Sequence, residues 1–317
     1  MKKIVIDCLG ADRGQEEIAF GAILAKDLPL NFVLVGEREK LEPLLRNEGV
    51  DLSRYEIIDA KRTVNNGEDP RVVIRGGEDT SVVKGLDKAK EDDVIGYISA
   101  GNTGAVLIGS IFRVGLLPGI KFPALGCNLI NIHGKYFCLL DCGANLDLVP
   151  EQMVKFARIG LGVASSYYGI PSPRIGLLNV GREEGKGNAL AKESYKALKE
   201  SGLNFVGNIE GSDIIMDKAD VIVCDGFSGN VALKSLESAA MFCRSLALEG
   251  GNKELSDKIH TYFGYTDLGA SIVYGCKKIV MKPHGSSSKK TIAACIKIAL
   301  EMDEKDMVGA LGKALGE

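Results

Sequence analysis

The chain has 317 residues, 45% of them hydrophobic and 26% charged, with 39 basic side chains against 42 acidic ones and a formal net charge of -3. That profile excludes disorder as the default state and supplies enough chain for one large core or two lobes. It offers no global attraction for nucleic acid, which is not expected as a partner. The longest apolar stretch, Ala105 to Phe112 ahead of Arg113, falls short of the ~20 residues a membrane-spanning helix needs, so a soluble protein is expected.

Lys3 to Asp7 reads as a buried strand, Glu16 to Asp27 as an amphipathic helix and Asn31 to Gly36 as the next strand, a βαβ opening. The alternation continues through a strand at Tyr55 to Asp59, a helix from Thr80 to Glu91, the strand Val94 to Ser99 and a helix starting near Asn102 or Thr103. Strands follow at Phe137 to Asp141, Arg174 to Asn179, Asn204 to Val206 and Asp220 to Cys224, with helices at Pro150 to Tyr168 and Ala189 to Ser201 between them. Gly229 to Leu248 is a long apolar helix, Gly250 to Asp257 a polar break, Lys278 to Lys282 a late strand and Ser288 to Met302 the closing helix. The expected fold is α/β, a three-layer α/β/α sandwich on a mostly parallel sheet. It is read as one catalytic domain over residues 1–317, with two lobes around a cleft admissible. No repeat, linker or composition shift marks an internal boundary.

Eight cysteines (Cys8, Cys127, Cys138, Cys142, Cys224, Cys243, Cys276 and Cys295) stand mostly inside apolar runs with no leader-like segment ahead of them, and read as buried cytosolic thiols. There is no CxxC pair, and His133, His260 and His284 are scattered, so neither a metal site nor a cofactor is expected. Cys142 and Cys224 lack a histidine partner in a recognised nucleophile motif, which favours packing over acyl-thiol chemistry.

Function concentrates in five glycine-rich loops, each directly after a strand-like run: Ser99 to Gly104, Asp141 to Asn145, Gly181 to Asn188, Asp225 to Asn230 and His284 to Ser287. Loops at the carboxyl ends of parallel strands converge on a crevice, and glycine lets backbone N–H groups approach an anion closely. One polar, anion-binding cleft is expected. Ser99, Gly101, Asn102, Thr103 and Gly104 would meet phosphate at a helix start, with Asn145, Gly187, Asn230 and Ser286 as further binding groups. Lys186 brings a mobile cation, Asn188 and Asp225 polar groups, and His284 a proton carrier or oxyanion donor. Neither Gly-x-x-x-x-Gly-Lys-Ser/Thr nor the dinucleotide spacing is present, so ATP and NAD lack support.

In their order, Ser-Ala-Gly-Asn-Thr-Gly-Ala at 99–105, Asp-x-Gly-Ala-Asn at 141–145, Leu-Leu-Asn-Val-Gly-x-Glu-x-x-Lys-Gly-Asn at 177–188, Asp-Gly-Phe-x-Gly-Asn at 225–230 and His-Gly-Ser-Ser at 284–287 resemble the PlsX family of bacterial phosphate acyltransferases. The resemblance implies acyl transfer from acyl carrier protein to inorganic phosphate, giving acyl phosphate for phospholipid synthesis; acyl-CoA is the other donor the sequence leaves open. It implies a fold similar to the isocitrate and isopropylmalate dehydrogenases, and a cytoplasmic homodimer with peripheral membrane contact. The alternatives are a phosphotransacetylase-like enzyme using a short acyl thioester and a noncatalytic protein that binds acyl phosphate or phosphate. The chain departs from the family in four places. Ala11 replaces a glycine, Glu78 and Asp79 stand where a basic run is usual, the stretch from Gly229 to Gly269 is shorter, and Tyr265-Thr266-Asp267-Leu268-Gly269 differs. The lost positive charge predicts weaker, less salt-sensitive docking of an acidic carrier protein.

Overall fold

The computed structural model describes residues 1–263 and 270–316; the Tyr265 to Gly269 departure lies outside them. Among the described residues the strands are β1 (Lys3–Asp7), β2 (Asn31–Gly36), β3 (Tyr55–Asp59), β4 (Val94–Ser99), β5 (Ala124–Ile130), β6 (Tyr136–Leu140), β7 (Ile175–Leu178), β8 (Phe205–Ile209), β9 (Val221–Val223), β10 (Ser271–Tyr274) and β11 (Ile279–Lys282). The helices are α1 (Gln15–Leu24), α2 (Arg38–Asn47), α3 (Ser81–Lys88), α4 (Thr103–Gly109), α5 (Pro150–Ser166), α6 (Ala189–Glu200), α7 (Gly226–Glu249), α8 (Lys253–Phe263), α9 (Lys289–Glu304) and α10 (Met307–Leu315). They fall into two compact units, Met1–Leu117 with Gly269–Glu304 and Pro118–Leu268 with Lys305–Glu317.

In the first unit the strand order is β3-β2-β1-β4-β11-β10, parallel except for β10, which runs antiparallel to β11. The chain steps outward from β1 to β2 and β3, then returns past β1 to β4. Because crossovers are right-handed, that reversal places α1 and α2 on one face and α3 on the other. It also opens a crevice beyond the carboxyl ends of β1 and β4, where Asp7 is in register with Ser99. The loop following β11 leaves the same end of the sheet, since β11 is parallel to β4. Phe32 of β2 and Tyr97 of β4 are fully buried, as are Ile4, Val5 and Ile6 of β1.

In the second unit the order is β5-β6-β9-β7-β8, with only β5 antiparallel. The loops after β6, β7 and β9 therefore leave at a common end. Cys127, Leu129, Phe137, Leu139, Ile209 and Ile222 build a core on this sheet, and Phe156 of α5 is buried as well.

Several elements escape a local reading. Pro43 lies inside α2, whose half-charged sequence is held by buried Leu41 and Leu45. The expected polar break at 250–257 is confined to three residues, because Asn252 Oδ1 accepts the Leu255 N–H at 2.9 Å and starts α8 at Lys253. The antiparallel strands β5 and β10 and the closing helix α10 are also additions to the expected elements. Seven cysteines are buried, whereas Cys243 is exposed on α7 and departs from the expected pattern.

Candidate active site

Asp7 ends β1 with its carboxylate fully buried. Its Oδ1 accepts the Leu9 N–H at 3.1 Å, and its Oδ2 accepts the Ser99 hydroxyl at 2.9 Å and the Tyr97 hydroxyl at 3.1 Å. Ser99 Oγ in turn accepts the Gly101 N–H at 3.2 Å. Burial pushes Asp7 up to about 6, against the hydrogen bonds that favour its charged form. Gly10, at φ 79°, brings the β1 loop against the next one, since a Cβ there would lie 2.9 Å from Gly101 Cα. Ser99 thus supports the loop from beneath; its hydroxyl does not face solvent.

Asn102 caps α4, its Oδ1 accepting from Ala105 N–H at 2.9 Å and its Nδ2 donating to the Asn65 carbonyl at 3.1 Å. Thr103, the first helical residue, is exposed, and Gly104 is half-buried. After β11, His284 Nδ1 accepts the Ser286 N–H at 3.2 Å and lies 2.8 Å from the Ser286 hydroxyl. That network puts the proton of neutral His284 on Nε2. Asp12 N–H donates to the Gly285 carbonyl at 2.9 Å, tying the β1 loop to this one. Half-buried Lys282, one residue ahead of Pro283, donates to the Pro283 carbonyl at 2.6 Å and reaches the Ala100 carbonyl at 3.4 Å. A lysine ending an apolar strand two residues before His284 was the signal available for it.

The second unit is organised around Asp141, which follows β6. Its Oδ1 accepts from the N–H groups of Leu125, Gly143 and Ala144 at 3.0–3.1 Å, and its Oδ2 from Asn145 N–H at 2.7 Å and Asn145 Nδ2 at 2.6 Å. Burial raises its carboxyl above the usual range, opposed by these donors. Asn145 Nδ2 also donates to the Pro123 carbonyl at 2.8 Å, so this amide is turned inward, contrary to a direct phosphate contact through it. Gly226 N–H donates to the Asn145 carbonyl at 2.7 Å. At Gly229 a Cβ would lie 1.9 Å from the Asp141 carbonyl oxygen. The start of α7 therefore packs backbone to backbone on the Asp141 loop.

Asp225 caps α7, with Oδ1 accepting from Ser228 N–H at 2.9 Å and Oδ2 from Ser228 Oγ at 2.8 Å. Both oxygens of its carboxylate are thus engaged by Ser228. Asn230 is exposed beside Gly143. The Gly181–Asn188 loop hangs on Asn179 of the 177–188 motif and on Asn208, which the sequence did not single out. Asn179 Nδ2 donates to the Lys186 carbonyl and to Asn208 Oδ1, both at 3.1 Å, and Asn208 Nδ2 donates to the Glu183 carbonyl at 2.9 Å. Arg182 is held by Asp213 at 2.8 Å. Lys186 is exposed, and among the described residues no ion pair engages its ammonium. Gly187 turns the chain at φ 94° into Asn188, whose Oδ1 caps α6 through Ala191 N–H at 2.8 Å.

Thr103, His284 and Ser286 thus present groups outward in the first unit, and Lys186, Asn188 and Asn230 do so in the second. These groups can bind an anion, stabilise an oxyanion and donate a proton. Burial drives the thiols of Cys142 and Cys224 well above their ordinary value, which leaves them protonated and poor nucleophiles.

A carboxyl raised from 3.8 to about 6 binds a proton on folding between those values. Its contribution to stability is largest below about pH 4 and is lost as pH rises through about 6. Asp7→Asn cannot titrate, so the wild-type advantage over it should fall by about 3 kcal/mol across that window. Denaturant unfolding from pH 4 to 7 measures this, and a flat difference would refute the assignment. Gly229→Ala should cost about 2 kcal/mol or more in the same assay, because neither backbone can give way; an unchanged midpoint would contradict the close packing.

The profile of the fatty acid synthesis protein family matches residues 2–309. A phosphate acyltransferase from Lysinibacillus sphaericus is 37% identical over 323 residues, covering 98% of this chain and 97% of its own. One from Halothermothrix orenii is 36% identical over 331 residues, covering 99% of each. Among solved structures, a branched-chain phosphotransacylase from Enterococcus faecalis has the same fold, at TM-score 0.64 and 16% identity over 95% of this chain and 98% of that one. With its loops in the expected order and a match along nearly its whole length, the chain belongs to the fatty acid synthesis protein family, among relatives that carry the phosphate acyltransferase name.

Proposed function

We propose that this protein is a phosphate acyltransferase that moves an acyl group from the thioester of acyl carrier protein to inorganic phosphate. The observation that carries the reading is the match of phosphate acyltransferases to essentially the whole chain, with the outward polar groups of the strand-end loops in support. A phosphate oxygen attacks the thioester carbonyl carbon, a tetrahedral oxyanion forms, and the carbon–sulfur bond breaks. The proton of hydrogen phosphate ends on the departing sulfur, leaving acyl phosphate and a thiol. Phosphate is itself the nucleophile, so no acyl-enzyme is required.

Lys186 is the cation assigned to phosphate, with Asn188 Nδ2 and the amides of its loop as neighbouring donors. The Ser99–Gly104 loop with Thr103 supplies anion donors in the first unit. His284, through Nε2–H, is assigned a hydrogen bond to the sulfur as negative charge develops there, while the proton that ends on sulfur comes from hydrogen phosphate. Asp7, Asp141 and Asp225 hold these loops in place.

The finer calls on partners stay part of this proposal. Glu78 and Asp79 face Arg113 and Arg62 in ion pairs of 3.8 Å and 2.9 Å, which offsets the basic charge available there to an acidic carrier. Acyl-CoA therefore remains an acceptable donor. Exposed Met241, Phe242, Leu246 and Leu248 on α7 support a homodimer or peripheral membrane contact. Among the described residues no helix is long and apolar enough to cross a membrane.

Phosphate-dependent thioester loss tests the reading directly. Lys186→Ala should raise the phosphate KM by about tenfold or more, the loss of one charge-assisted contact, and His284→Ala should lower kcat and alter its pH profile. Cys142→Ser and Cys224→Ser should stay active. An unaltered phosphate KM in Lys186→Ala, or an acylated peptide at either cysteine, would overturn the corresponding assignment.

A further inference from the structure

The second unit holds a pocket of about 460 Å³, lined by the segment after the Asp141 loop and by the first turns of α6 and α7. Leu146, Asp147, Asn188, Leu190, Asp225 and Phe227 form most of its wall. Its chemistry is wrong for phosphate: two carboxylates and no lysine or arginine line it, so a dianion meets repulsion there. Apolar surface stands open instead, with Leu146 63% and Phe227 66% exposed. Polar groups are interleaved with it. Asn188 uses Oδ1 for the α6 cap, which leaves its Nδ2 as a donor at the wall, and Asp225 and Ser228 satisfy each other. Uncovered apolar side chains, a neutral donor and no cation suit an uncharged chain that carries amides. A plain alkyl chain has no use for the polar half of this wall. Asn188 belongs to both the pocket and the loop that bears Lys186, so the occupant's end at Asn188 lies beside the group assigned to phosphate.

We infer that this pocket receives the pantetheine-type arm of the acyl donor, the uncharged amide-bearing thiol arm common to carrier-protein and coenzyme A thioesters, with the thioester end at Asn188. The inference rests on the proposed transfer from a thioester to phosphate. Phe227 is the specificity-determining side chain, since it covers the arm without touching the reacting atoms.

Phe227→Ala should raise the KM for S-acyl-pantetheine about tenfold, equivalent to about 1.4 kcal/mol, with kcat and the phosphate KM unchanged. Phe227→Leu should recover most of the loss. Acyl-CoA and acyl carrier protein should show the same penalty, whereas S-acyl-cysteamine, which lacks the amide arm, should show none. An equal penalty with S-acyl-cysteamine, a shifted phosphate KM, or a defect that grows with acyl length on a constant arm would overturn the inference, the last by placing the acyl chain in the pocket. Calorimetry with an unreactive acyl-pantetheine thioether separates this from the reaction itself. Tenfold weaker binding to Phe227→Ala without turnover in the wild type keeps the pocket and removes the proposed activity; equal binding with turnover in both proteins removes the pocket and keeps the activity.

Discussion

A carboxylate buried at the end of a parallel strand is the constraint from which the rest of each unit follows. A charged group out of water is tolerated only when donors surround it. The nearest donors at a strand end are the N–H groups of the loop that follows. Asp141 collects four backbone N–H groups and one side-chain amide, and in doing so winds residues 141–145 into a fixed turn. Asp7 takes hydroxyls from Tyr97 and Ser99 as well as the Leu9 N–H, and Ser99 passes the restraint on to Gly101. In both cases the cost of burying charge is offset by ordering a loop whose other surface can face a ligand.

That arrangement divides the polar residues of the loops into two kinds. Ser99, Asn145 and Asp225 are consumed inside, as acceptors, donors or caps, and their value is the position they give to others. Lys186, Thr103 and His284 remain outward with chemistry to spare. Preorganisation of this sort matters because an oxyanion or phosphate gains most from donors already held in place before it arrives. Glycine serves the same end at Gly229, where the absence of a Cβ lets α7 begin against the Asp141 carbonyl. The inert, protonated state of buried Cys142 and Cys224 fits direct attack by phosphate.

Much of the architecture was legible in the chain because it is written in local periodicity. Buried parallel strands are short apolar runs, and β1, β2 and β4 have the bounds expected of them. α4 and α6 start where expected, and in the structure Asn102 and Asn188 cap them. What was missed lacked a local signal: α2 has Pro43 inside it and is held by two buried leucines, and β5 carries Gly126 and Asn128 in its run. Its antiparallel pairing with β6 compensates for weak propensity, and such pairing is not visible in one segment alone.

For the site, the sequence by itself determined the order of the glycine-rich loops and the family the chain belongs to, since glycine and capping residues after apolar runs are local features. Only the tertiary structure decided which way each side chain faces. Ser99 and Asp7 are 92 positions apart in the chain, and only strand register makes them partners. Asn179 and Asn208 hold the Lys186 loop for the same reason, Asn179 directly following β7 and Asn208 lying on the neighbouring β8. Direction is settled by which buried carboxylate or carbonyl must be satisfied, and that is a property of packed strands rather than of neighbouring residues.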